Sequence, residues 1–190
     1  MKKILLLSGV ACLLTANAEA GTYDWHNWHN MIRPYVGAEY VYSRAHQGGD
    51  AKDFKKNFHS GKADLGLEWD KNIYTEFSYQ MSGELKNGNP YYDGKSKNGF
   101  QAYAMDVYGK MPIMCSNFGA LLTAGGAIYD IKYKDMPSSS TTKVGYRAGL
   151  GVQYDMNQNW SARVVGRYSY IGAERMNNLK EVTVGMLYRF

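Results

Sequence analysis

The sequence predicts an all-β chain, eight antiparallel strands in sequence order closed into an up-and-down barrel. Three observations carry this. Apolar and polar residues alternate with period two in eight successive runs between Arg33 and Phe190. The links between the runs alternate long and short, as in a series of hairpins seen from its two ends. Tyr (17) and Gly (21) are abundant while Pro is held to 4, a composition that favours strands over helices.

The runs follow in order. "RPYVGAEYVYSR" sets Val36, Ala38, Tyr40 and Tyr42 against Tyr35, Gly37, Glu39 and Ser43. "GKADLGLEWD" sets Ala63, Leu65, Leu67 and Trp69 against Lys62, Asp64, Gly66 and Glu68. After Asp70-Lys71-Asn72, "IYTEFSYQM" sets Ile73, Thr75, Phe77, Tyr79 and Met81 against Tyr74, Glu76, Ser78 and Gln80. In "GFQAYAMDVYGKM" the apolar face is Tyr103, Met105 and Val107, which turns Asp106 the other way. "FGALLTAGGAIYDIKYK" is apolar on both faces at first; Asp130, Lys132 and Lys134 then set the register and leave Tyr129, Ile131 and Tyr133 opposite. "KVGYRAGLGVQYD" sets Val144 to Tyr154 against Lys143, Gly145, Arg147, Gly149, Gly151, Gln153 and Asp155. "NWSARVVGRYSYIG" sets Trp160, Ala162, Val164, Tyr168 and Tyr170 against Ser161, Arg163, Arg167 and Ser169. "EVTVGMLYRF" closes the series with Val182, Val184, Met186, Tyr188 and Phe190 on its apolar face. Short links lie near 70–72, 112–117 and 155–159, and long polar links near 45–60, 82–99, 134–143 and 171–179.

The start of the chain reads as an address. Residues 1–20 carry Lys2 and Lys3, an apolar run from Ile4 to Leu14, and an Ala18-Glu19-Ala20 ending, the pattern of a cleaved secretory signal peptide. Ala16-Asn17-Ala18 offers a second cleavage position, and Cys12 an acylated-cysteine alternative disfavoured by the apolar run continuing past it. Residues 21–32 form a tail and 33–190 the barrel domain. Loss of two bases and one acid with the signal takes the formal charge from +5 to +4, which selects no partner and gives no sign of nucleic-acid binding. Cys115 is then a single cysteine, so no internal disulfide forms. After the signal no 18 successive residues are apolar, which excludes a membrane helix but not a membrane barrel.

Alternation alone does not say which face is inside. Three features favour an apolar face turned to lipid, hence a transmembrane β-barrel. The polar face mixes charge with Gly37, Gly66, Gly145, Gly149, Gly151 and Gly185, which leave room for long side chains in a narrow interior. Its charges nearly balance, as enclosed charges must: Glu39, Asp64, Glu68, Glu76, Asp106, Asp130, Asp155 and Glu181 against Lys62, Lys132, Lys143, Arg147, Arg163, Arg167 and Arg189. The aromatics of the apolar face fall at run ends, with aliphatic residues between them, as in the interfacial belts of a membrane barrel. Trp69, Tyr154, Trp160, Tyr188 and Phe190 lie by the short links, and Tyr40, Tyr42, Tyr79, Tyr129, Tyr133, Tyr168 and Tyr170 by the long ones.

The ending on Phe190 follows from closure, because the last strand must pair with the first. Here "VTVGMLYRF" resembles the terminal strand of Gram-negative outer-membrane barrels, and with "PYVGAEYVYS" the mature chain resembles the small OmpA/OmpX-like and opacity-protein-like class. The resemblance implies residence in the outer membrane with both termini periplasmic and contact with outer-membrane lipid and lipopolysaccharide. It also implies assembly by the barrel-assembly machinery through Val184, Met186, Tyr188 and Phe190. It does not select a function, because the class includes adhesins and structural proteins; the leading reading is a non-enzymatic barrel that supports the envelope or meets host surface ligands through its four long loops. An open porin is disfavoured by the narrowness of eight strands; a narrow channel and a lipid-A-modifying barrel enzyme are the alternatives.

Motifs for chemistry are sparse. In "WHNWHN" His26 and His29 have a spacing able to meet a metal, with Asp24 the one nearby further ligand; an aromatic tail at the lipid interface is the preferred reading. "FHSG" holds adjacent His59 and Ser60 at a loop base without an assigned acid, and the His-x-Ser signature of lipid-A-modifying barrels is missing. No catalytic residue, metal site or cofactor is expected. The lysine-bearing links "GGDAKDFKK" and "KNGNPYYDGKSKNG" suit anionic phosphates or glycans.

Overall fold

The computed structural model describes residues 32–46, 57–83, 85–86, 97–113, 117–134, 139–173 and 176–190. Eight long strands form: β1 (Arg33–His46), β2 (Asn57–Asp70), β3 (Ile73–Ser82), β4 (Lys97–Pro112), β5 (Phe118–Lys134), β6 (Ser139–Asp155), β7 (Trp160–Tyr170) and β8 (Asn178–Arg189). Each pairs antiparallel with its sequence neighbours. The ring closes between β1 and β8, from Tyr35↔Arg189 to His46↔Asn178. The result is a closed eight-stranded barrel without a free edge, the condition for placing strands in lipid. The signal peptide and tail expected at 1–20 and 21–32 lie, apart from Ile32, outside the described residues, as do "WHNWHN" and Cys115.

The chain's end is fixed by this closure. Phe190 donates its backbone N–H to the Pro34 carbonyl at 3.1 Å, and Arg189 donates to the Asn159 carbonyl at 2.7 Å. On the outer wall the Tyr188 ring packs against Trp160 (5.0 Å between centroids) and Phe190 (5.2 Å).

The outer wall is apolar and exposed over the middle of the strands. Leu150 is 68% exposed, and Val107, Leu122, Val164 and Val184 are each about half exposed. Side chains pointing inward are buried and mostly polar. Two connections differ from expectation. The third long link is largely strand, since the β5–β6 ladder runs to Tyr133↔Ser139 and leaves 135–138 between them. The link near 82–99 includes a short antiparallel ladder, Leu85↔Asn98 and Lys86↔Lys97.

The register expected for the second half of β5 is corrected. Tyr129 and Ile131 were expected on the outer wall; each is 1% exposed and faces inward, while Ile128 faces out and Asp130 lies half-buried on the outer side. The cause is a change of environment along the barrel. Toward the long links the interior becomes apolar, with Ala45, Phe58, Phe100, Ala102, Tyr129, Ile131 and Leu179. The outer wall there turns polar, with Arg44, His46, Asn57, His59 and Lys180 exposed. Charge therefore marks the outside at this level and the inside below it. Lys143 pairs with inward-facing Tyr129 and so shares the interior face, as expected, but its side chain is exposed. The side chains of Lys132 and Tyr133 lie outside the described set.

Candidate functional site

The interior is a stack of polar layers under an apolar cap. At the short-turn end Arg189 from β8 reaches Glu68 of β2 (2.8 Å) and Asp155 of β6 (3.0 Å) and donates to Ser161 (2.6 Å). Lys110 pairs with Asp155, and Ser161 donates to the same carboxylate at 2.7 Å. Asp155 keeps 28% of its side chain exposed, so this layer meets solvent.

The next layer is closed. Lys62 lies 2.8 Å from Glu39, 2.7 Å from Asp64 and 3.0 Å from Glu76. Arg163, from the far wall, binds Glu39, approaches Glu76 at 2.7 Å and Asp64 at 3.4 Å, and lies 4.9 Å over the Tyr108 ring. Tyr35 and Tyr108 each donate a hydroxyl hydrogen bond to Glu76, at 2.9 and 3.2 Å. The side chains of Lys62, Glu39, Asp64 and Glu76 are 0% exposed, which leaves no water-sized space beside them. Three carboxylates with two cations would be costly in isolation; the two tyrosine hydroxyls add donors at Glu76, while Asp64 is held by the charges of Lys62 and Arg163.

Two glycines make this crowding possible. A Cβ on Gly66 would run into the Tyr35 ring, and one on Gly185 into the Glu39 side chain. Either substitution would displace a group that Glu76 or Arg163 relies on.

Above this layer Arg147 binds Asp106 through Nε and Nη2 and donates to Ser78 at 3.0 Å. Arg167 donates to the Tyr108 hydroxyl at 2.6 Å and lies 3.8 Å from Asp106. Higher still, Glu181 accepts from Gln80 (2.9 Å) and Ser43 (3.1 Å). The cap follows. The segment after β7 turns at Gly172, whose positive φ of 64° suits glycine, and places Ile171, Ala173 and Met176 with Phe58, Phe100 and Leu179. It is tied back by Ile171 N–H to the Asn177 carbonyl (2.8 Å) and Asn177 N–H to the His46 carbonyl (3.1 Å).

The structure thus brings Glu39, Asp64, Glu76 and Arg163 together, joins Asp106 with Arg147 and Arg167, and puts Glu68 with Arg189 instead. Alternation did not reveal the hydroxyls of Tyr35 and Tyr108 or the cap. The inward position of both tyrosines followed from register, but nothing local marked them as carboxylate donors. The cap residues lie on strand ends and a link where the pattern inverts.

On the outer wall Trp69, Tyr154, Trp160, Tyr168 and Tyr170 are exposed at strand ends. Tyr129, inside the cap, is no part of a belt. His59 and Ser60 lie within strand β2 rather than in a loop, and point to opposite faces: His59 is exposed and bonded to the Tyr40 hydroxyl, Ser60 is 4% exposed and inside. They cannot act as a pair. No group of His, Cys, Asp and Glu able to hold a metal occurs among the described residues. The hollow of about 380 Å³ beside Tyr40, His59, Gly61 and Met81 is open to the outside of the wall.

Similarity to solved structures is of fold. Neisserial surface protein A aligns with a TM-score of 0.66 at 18% identity, covering 83% of this chain and 97% of that one. Ail, the attachment invasion locus protein of Yersinia pestis, solved in complex with the heparin analogue sucrose octasulfate, gives 0.58 at 17%, covering 84% and 99%. The N-terminal β-barrel domain of Pseudomonas aeruginosa OprF gives 0.58 at 12%, covering 84% and 100%. An uncharacterized protein of Coxiella burnetii (strain RSA 493 / Nine Mile phase I) is 26% identical over 125 residues, 52% of this chain. The chain spans about half the length of that relative. A closed ring with charge inside and an aliphatic wall outside is a barrel built for lipid, and with the family model matching residues 7–190 the chain belongs to the outer membrane protein beta-barrel domain family.

Proposed function

We propose that this outer-membrane barrel is a non-enzymatic surface protein, working through its long links as an adhesin or as structural support of the envelope. The observation that carries this reading is the filled interior. Charged layers with 0% exposed side chains lie under an apolar cap, so a solute finds no aqueous path through the described residues. Work is then left to the surfaces. In this reading residues 1–20 are removed on export, 21–32 and both termini of the mature chain are periplasmic, and the long links face outward. The assembly machinery recognises the terminal strand, lipopolysaccharide surrounds the wall, and host surface ligands meet the links. The sulfated ligand in the Ail structure makes a sulfated glycan the first probe, and the lysines at 48–56 and 86–99 give the links the matching charge.

The test is binding of the folded barrel to immobilised heparin, compared with a version in which 47–56 and 87–96 are replaced by short turns. Binding lost on trimming supports the adhesin. Absence of binding in both forms leaves the structural role, and unchanged binding after trimming contradicts action through these links.

A further inference from the structure

The inversion of polarity near the long links leaves an unusual surface on the outer wall of β1, β2 and β8. Arg44 and Lys180 stand directly opposite one another across the β1–β8 ladder, and both are exposed. No carboxylate shares the outer face of these three strands from this level down to Tyr40 among the described residues. Their neighbours Ser43 and Glu181 point inside, and Glu181 is already held by Gln80 and Ser43. One residue pair lower, the Tyr42 and His59 rings lie 5.4 Å apart, with the Tyr40 hydroxyl bonded to His59. Lower again, Tyr40, Gly61 and Met81 form one row across three strands. A Cβ on Gly61 would meet nothing within 4 Å, and the hollow of about 380 Å³ opens there.

We propose that this strip is a binding site for a phosphorylated glycolipid of the outer leaflet. Its phosphate would rest on Arg44 and Lys180, its sugar against Tyr42 and His59, and an acyl chain over Gly61. The order of chemistries along the wall matches the order of groups along such a lipid: anion, ring, hydrocarbon. Two adjacent cations without a local acid favour a phosphate, whose charge-assisted bonds are strong at a lipid–water boundary. Rings with an apolar body and a polar tip suit that boundary, and the missing side chain at Gly61 leaves a furrow for a chain. The inference rests on the orientation given above, in which the long links face outward.

The test uses the folded mature barrel in non-ionic detergent, titrated with bisphosphorylated lipid A, dephosphorylated lipid A or phosphatidylglycerol, and read by native mass spectrometry. Loss of one cation near an anionic group weakens binding about fivefold, so Arg44→Gln with Lys180→Gln should weaken retention of bisphosphorylated lipid A roughly 25-fold. Gly61→Leu should weaken it too, and Lys143→Gln, an exposed cation elsewhere, should leave it unchanged. The single variants, each expected to lose about fivefold, serve if the double variant does not fold. Equal retention by the parent and the cation variants overturns the site. So does an equal loss with Lys143→Gln, or retention of dephosphorylated lipid A or phosphatidylglycerol as strong as that of the bisphosphorylated lipid. Heparin binding by the long links is measured on the same samples. Its failure alone would count against the adhesin and leave the lipid site standing.

Discussion

Arg163 ties the two sides of this interior together. It touches Glu39, Asp64 and Glu76 from across the interior and covers the Tyr108 ring. Without it three buried carboxylates share only Lys62 and the hydroxyls of Tyr35 and Tyr108. Arg163→Met should lower the stability of the refolded barrel by about 3–5 kcal/mol, the cost of an unpaired buried charge. Adding Glu39→Gln should return part of that loss, because one of the stranded charges is removed with it. Urea titration followed by the fraction migrating as the folded band in unheated gels measures both. Arg147→Met should behave in the same way through Asp106, its main partner. Unchanged midpoints for both would mean that these arginines do not face a packed interior. Gly185→Ala tests the same layer sterically, since the added Cβ meets Glu39 and adjacent ladder backbone; overpacking of this kind costs about 1–3 kcal/mol.

At the scale of the element, period-two alternation made most strands legible, because one face met charge and the other hydrocarbon along most of their length. In β6 every second residue from Val144 to Tyr154 lies on the outer wall, and the residues between them face inward, as the pattern requires. β5 was legible only in part. "GALLTAGGA" is apolar on both faces, and the charges of "YDIKYK" belong to a level where the outside is polar and the inside is the cap. A rule that assigns charge to the interior must fail there. The cap itself is a product of closure: Phe58, Phe100 and Leu179 come from three strands and Ile171 from a link, and they share no local signal. The terminal strand yields a prediction of a different kind. Phe190 is 39% exposed at the edge of the wall, so truncating it removes at most about 1.5–3 kcal/mol of burial. Its recognition during assembly is a separate matter. Phe190→Ala should reduce the amount inserted into the outer membrane while the refolded variant keeps near-normal heat modifiability. Equal losses in cells and in detergent would show that Phe190 acts through stability. No loss in either would remove its role as a signal.

The whole molecule is an inverted solid: lipid-facing aliphatic residues outside, a salt-bridged interior, and an apolar cap where the wall emerges toward the long links. This arrangement predicts a protein that migrates faster unheated than boiled in detergent gels, because the closed ring resists unfolding by detergent alone. It also predicts no swelling of reconstituted liposomes in sugar solutions, since the interior is filled; swelling comparable to that of a general porin would show that the cap and the charged layers yield to solute. Every one of these expectations depends on which face meets lipid. The most direct measurement is spin-label accessibility in phospholipid nanodiscs, with Cys115 replaced and single cysteines placed at Ala148, Leu150, Val152 and Val164 on the outer wall of β6 and β7. Labels at all four sites should collide readily with oxygen dissolved in the hydrocarbon and poorly with an aqueous nickel chelate, with the oxygen preference greatest toward the middle of the band. Labels shielded from both reagents, or relaxed preferentially by the nickel chelate, would mean that this face is the core or the wet surface of a soluble barrel and would contradict the account.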